Sequence, residues 1–189
     1  MQLYSRILAL VFGAMMLALS ATVAVETVIR KLFSISLGGV DELSGYAIAI
    51  GAPLAFAIAL IEQSHIRINL LHMRMPLRAR AVLNAVAAVA LAVLAVYLMV
   101  FTVSTFLETR MFRSIAQTPW ATPLVYPQSA WLVAMALFAA PALWLAIRAA
   151  LLLLRADWQR LDREFSPETV EDELKAELDD LETRAGEVI

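Results

Sequence analysis

The residues of this chain with chemistry to offer are few: His65 and His72, the adjacent pair Asp41-Glu42, and the single acid Glu26. The histidines are seven apart, on one face if that segment is helical. Haem or metal ligation across a bundle needs histidines on facing helices within its interior, whereas the stretch around these two is polar and basic. Asp41-Glu42 stands just before an uncharged run, where carboxylates meet the positive end of a helix dipole, worth about 0.3–1 kcal/mol at an exposed site. The alternative for this pair is an ion-pairing contact with Arg30 or with a neighbouring subunit. Glu26 lies at the end of an apolar stretch, where a carboxylate is costly unless it faces protein or water. Arg30 or Lys31, one turn on, is its expected partner, and one acid without a second acid or a base makes a poor relay. No nucleophile–base pair, glycine-rich phosphate loop or metal-ligand spacing appears. With no cysteine, disulfides, iron–sulfur clusters and thiolate sites are excluded. The expectation is a chain with no catalytic residue, no cofactor and no metal.

The elements that carry these residues are set by hydropathy. The chain has 189 residues, is 61% hydrophobic and has a mean hydropathy of +0.75, far from an ordinary soluble domain. Four runs, Ile7–Val25, Leu43–Ile61, Ala81–Leu107 and Ser114–Ile147, pass 19 or more residues without a charge. A helix crosses a roughly 30 Å hydrocarbon layer with about 20 apolar residues, and there it satisfies its own backbone polar groups. The sequence therefore predicts an all-α membrane protein with four transmembrane helices over about 6–29, 41–61, 81–107 and 129–154. The first run is longer than the apolar part of a signal peptide and ends in Glu26 and Arg30-Lys31 without a small-x-small cleavage site, so it is expected to be retained. No span is interrupted by the glycine and proline breaks that build transporter substrate sites. Pro53 and Pro141 are single kink candidates.

The connections are more informative than the spans. Gly38-Gly39 reads as a turn between the first two spans, and Pro119, Pro123 and Pro127 argue against a continuous helix over 108–128. Between the second and third spans, Ser64–Met75 mixes Ile66, Ile68, Leu70, Leu71, Met73 and Met75 with His65, Arg67, His72 and Arg74. Such a basic amphipathic segment can lie in the headgroup plane against anionic membrane lipid, and Pro76 then lets the third span begin afresh. Nine Lys and Arg flank one side of the spans and four the other, which places both termini in the cytoplasm. Residues 1–154 form the expected transmembrane domain, and 155–189 an acidic cytoplasmic tail, partly helical, with 12 acids against 5 bases. In the tail, Ser166-Pro167 supplies a helix start and Val170, Leu174, Leu178 and Leu181 a narrow apolar stripe. The basic residues flank spans instead of forming a patch, so a nucleic-acid partner has no support.

In this order the features resemble those of the small membrane subunit of tripartite ATP-independent periplasmic (TRAP) transporters, over about residues 20–150. The elements that carry the resemblance are Asp41-Glu42-Leu43 at the second-span entry, the Gly51-Ala52 step, and His65-Ile66-Arg67-Ile68-Asn69-Leu70-Leu71. They continue with Met75-Pro76, Arg78 and Arg80, then Thr118-Pro119, Pro123 and Tyr126-Pro127. The His-Ile-Arg segment is the most specific of them. Two positions depart from the pattern: Gly39-Val40 stand where a tryptophan is often seen before the acidic pair, and Asn69 where an aspartate is common. The resemblance implies a heteromer, in which a large permease subunit carries the sodium and substrate sites. It also implies a periplasmic solute-binding protein that delivers an organic acid, a bacterial inner-membrane location, and a scaffolding role for this chain. Asp41, Glu42, Gly51, His65, Arg67, Asn69, Pro76, Pro123 and Pro127 are then the candidate subunit-interface or motif residues. The rival readings are a membrane anchor for a quinone- or cytochrome-linked oxidoreductase, which would want intramembrane histidines, and an independent small transporter, which would want more than one intramembrane acid.

Overall fold

A computed structural model describes residues 2–62, 75–165 and Leu178. The segment 63–74, with His65, Arg67, Asn69 and most of the expected interfacial stretch, lies outside the described residues, as does the tail beyond Phe165 apart from Leu178. Among the described residues five helices follow in order: α1 (Gln2–Phe33), α2 (Val40–Ile61), α3 (Leu77–Phe112), α4 (Val125–Leu154) and the short α5 (Trp158–Phe165). The first four are long and apolar enough to cross a membrane. No strand forms among the described residues; Ile115 and Pro123 make one isolated bridge.

The first three long helices outrun their uncharged runs, and α4 starts inside its run and ends beyond it. The 36-residue α3 is about 54 Å long at 1.5 Å per residue, against roughly 40–45 Å for a bilayer with its headgroups. Backbone hydrogen bonding continues past the point where hydropathy stops. At the start of α4 the helix begins before Pro127, not after it. Proline is tolerated there because the first-turn N–H groups have no intrahelical partner to lose.

The described residues fall into two compact units, one of 2–62 with 88–148, the other of 75–87 with 149–165. In the first unit Leu8, Leu54, Ala57, Leu60, Ala95, Ala134, Met135, Phe138, Ala139 and Ala142 form a shared core of α1 to α4. Half of these are alanine. Lipid is as apolar as leucine, so helices in a bilayer associate through close packing, which small residues permit. Gly51 shows the constraint directly: a Cβ there would lie 2.9 Å from Met16 Cε, 3.1 Å from Phe12 Cε2 and 3.2 Å from Met15 Cε. The rings of Phe56 and Phe138 meet across α2 and α4 at 5.8 Å, tilted by 52°. Much of the apolar surface stays uncovered, including Leu3, Leu10, Leu17 and Leu32 on α1 and Val93, Tyr97 and Phe101 on α3.

Pro141 lies inside α4 and has no N–H to give to the carbonyl four residues back, that of Leu137. The Tyr4 hydroxyl of α1 donates to that carbonyl oxygen at 2.7 Å. A proline in one helix and a tyrosine in another thus form one interhelical tie.

In the second unit, α5 buries Leu161, Asp162 and Phe165 and exposes Arg163. Asp157 caps it, accepting the Arg160 N–H at 3.2 Å. Arg80, near the start of α3, forms a salt bridge with Asp162, of which the aspartate side chain is 12% exposed. Pro76 precedes α3 and its carbonyl accepts the Ala79 and Arg80 N–H groups at 2.9 and 3.2 Å, so the span does begin afresh there.

Three of the helices stop on a left-handed residue that is not glycine: Ser34 (φ 55°), Arg113 (φ 50°) and Ala156 (φ 53°). At the last two, the next N–H returns to the carbonyl five residues back, Ser114 to Thr109 at 3.2 Å and Asp157 to Leu152 at 3.1 Å. This is the Schellman ending, whose left-handed position usually belongs to glycine.

Candidate functional site

The α1–α2 and α3–α4 connections meet at one end of the first unit, and the span-entry acids sit between them. At α2, the first turn opens on Gly39, which offers no side-chain cap. Glu42 and Asp41, adjacent in sequence, part company here: Glu42 is buried and Asp41 is exposed.

The Glu42 carboxylate is fully engaged. Tyr46, one turn on, donates its hydroxyl to Oε1 at 2.6 Å. Thr118 of the α3–α4 loop donates its hydroxyl to Oε2, and the Thr122 side chain also hydrogen-bonds to the carboxylate. The loop is built to make this contact. Ser114 and Leu124, and Ala116 and Thr122, pair their backbones across it, with Leu124 N to Ser114 O at 3.1 Å and Ala116 N to Thr122 O at 2.9 Å. At its tip Ala121 N returns to Thr118 O at 2.9 Å, enclosing a turn with Pro119 in its second position, where a fixed φ suits it. The tip then lies on the α1–α2 connection. A Cβ at Gly38 would be 3.6 Å from Pro119 Cβ, while one at Gly39 would fall inside the indole of Trp120. Gly38 also has φ +74°, which glycine adopts freely. Trp120 thus occupies the space that a side chain at Gly39 would need.

Glu26 does for the α1–α2 connection what Glu42 does for α3–α4. Its side chain is 6% exposed. Oε1 accepts Arg30 Nη2 at 2.6 Å, Arg30 Nε at 3.0 Å and the Ser36 hydroxyl at 2.7 Å. Oε2 accepts the Leu37 backbone N–H at 2.8 Å. Arg30, not Lys31, is therefore the partner, and the carboxylate also gathers the chain as it leaves α1. Glu26, Thr27, Arg30 and Lys31 of α1 and Asp41 and Ser44 of α2 face a groove of about 420 Å³.

Of the other sequence candidates, Gly51 serves the α1–α2 crossing, Pro76 starts α3, Pro123 closes the loop bridge and Pro127 enters the first turn of α4. The sequence pattern did not reveal Thr118 and Thr122 as partners of Glu42, the Trp120–Gly39 contact, the Tyr4–Leu137 tie or the Arg80–Asp162 pair. Among the described residues no group of three or more His, Asp or Glu could hold a metal ion. What the arrangement does chemically is hold: the buried Glu26 and Glu42 are each engaged by donors from their own chain, and each fixes a loop.

Compared with known proteins, residues 19–152 match the family described as tripartite ATP-independent periplasmic transporters, DctQ component. No curated protein and no solved structure matches the chain.

Proposed function

The chain belongs to the DctQ component family of tripartite ATP-independent periplasmic transporters, and we propose that, as their small permease subunit, it is the fixed scaffold for a large subunit that moves the solute. The observation that carries this reading is the saturation of Glu26 and Glu42. A carboxylate that binds or relays an ion must exchange partners during a cycle, whereas these two hold six hydroxyl, guanidinium or amide groups of their own chain. Sodium coupling, the organic-acid substrate and delivery by a periplasmic binding protein come from the family resemblance and belong to the other chains. The membrane would be the bacterial inner membrane, with both termini in the cytoplasm as the distribution of basic residues suggests. The anchor of a quinone- or cytochrome-linked oxidoreductase is not favoured, because the family is one of transporter components.

Asp41, left exposed at the entry of α2, is the candidate for a polar contact with the large subunit. In a bilayer such contacts fix register more than they supply affinity. Purification in mild detergent should bring down the large permease subunit with this chain, and Asp41→Lys should weaken that association while the chain keeps its thermal stability. Recovery of a haem-bearing redox partner in place of a permease would refute the reading.

A further inference from the structure

The loop end holds a second cluster of charge that the Glu42 and Glu26 contacts leave untouched. Thr109, Arg110, Arg113, Ser114, Pro123 and Val125 line a cavity of about 290 Å³ where α3 stops. Two arginines and two hydroxyl-bearing residues are among its lining. Arg110 lies over the ring of Phe106, 6.0 Å from its centroid, and among the described residues neither arginine forms an ion pair. Arg113 occupies the left-handed position of the helix stop, where glycine would fit without a steric penalty.

The surroundings indicate what the site takes. The uncharged run of α3 ends at Leu107, one turn before Arg110, and α3 is longer than a bilayer is thick, so its last turns reach the headgroup layer. Leu107, Met111, Phe112 and Ile115 beside the cavity are all more than half exposed, an apolar surface suited to acyl chains. Guanidiniums recognise phosphate through paired charge-assisted hydrogen bonds. The geometry points to a binding site for the phosphodiester of a membrane phospholipid, in the leaflet away from the chain termini, with Arg110 and Arg113 holding the phosphate. A free anion would need the cationic groups but not the apolar border.

Titrating the full-length chain with dioleoylphosphatidylglycerol, and counting retained lipid by native mass spectrometry, tests this. Arg110→Gln with Arg113→Gly should weaken retention by about tenfold or more, the effect of losing charged hydrogen bonds. Arg113→Gly keeps the helix stop, so its thermal midpoint should not fall, and Arg110→Lys with Arg113→Lys should keep most of the binding. Dioleoylglycerol, which lacks the phosphate, should bind no better than the Gln/Gly variant, and millimolar inorganic phosphate should not displace the phospholipid. Unchanged lipid retention in the Gln/Gly variant would overturn the proposal. So would equal binding of dioleoylglycerol, displacement by inorganic phosphate, or loss of the permease partner with lipid retained, the last marking a protein contact instead.

Discussion

Replacing Tyr4 with Phe removes one oxygen and leaves the ring, so it isolates the hydroxyl that donates to Leu137 O at 2.7 Å. Pro141 withholds the N–H that would otherwise reach that carbonyl, and no water in the hydrocarbon layer can take its place. Interhelical hydrogen bonds in membrane proteins average about 0.6 kcal/mol and reach about 1.7. A carbonyl with no helical donor belongs toward the upper end, so Tyr4→Phe should cost about 1–1.5 kcal/mol. The second arm is Pro141→Ala, which restores a helical N–H to Leu137 O. In that background Tyr4→Phe should cost only a few tenths of a kcal/mol, giving a coupling energy of about 1 kcal/mol from the double-mutant cycle. Reversible unfolding in mixed detergent micelles, followed by tryptophan fluorescence, measures all four proteins. Equal costs of Tyr4→Phe in both backgrounds, or no cost in the parent, would refute the claim that the hydroxyl serves the proline-freed carbonyl.

Three further outcomes follow from the same contacts. Glu42→Ala should loosen the α3–α4 loop, seen as faster hydrogen exchange at the Ala116 and Leu124 amides, while Asp41→Ala leaves both rates unchanged. Gly39→Ala drives a methyl into the Trp120 ring and should lower the unfolding midpoint; Trp120→Ala should remove most of that penalty, and a penalty that persists would place the clash elsewhere. Ala156→Gly, at φ 53°, should raise stability in the same detergent unfolding assay by up to about 1 kcal/mol, because a left-handed conformation costs L-residues roughly 1–2 kcal/mol and glycine's extra chain entropy offsets part of the gain.

The four spans were legible because hydropathy alone decides them, but their ends were not. The expected third span stopped at 107 and the helix at Phe112, since helical bonding persists through Glu108 and Arg110, where apolar character has ended. Pro127 looked like a barrier and is a first-turn residue. The Glu26–Arg30 pair was readable from its spacing of four, the distance at which helix side chains meet. Glu42 was readable as an acid at a helix start, but its bond to Thr118 spans 76 residues and no local pattern points to it. For Tyr4 and Leu137, 133 residues apart, half of the signal was present: Pro141 marks a carbonyl in need of a donor without saying which helix supplies it. Gly38-Gly39 read correctly as a turn, while the reason for two glycines, the Pro119-Trp120 tip lying on them, emerges only from the fold.

The scaffold role is tested most directly by uptake into sealed vesicles under an inward sodium gradient, with the binding protein and its organic acid supplied outside. Vesicles holding this chain alone should take up nothing. Vesicles holding it with the large permease subunit should accumulate the acid, and those with the large subunit alone should fall well short of that level. Sodium-driven uptake by this chain without its partner would contradict the account.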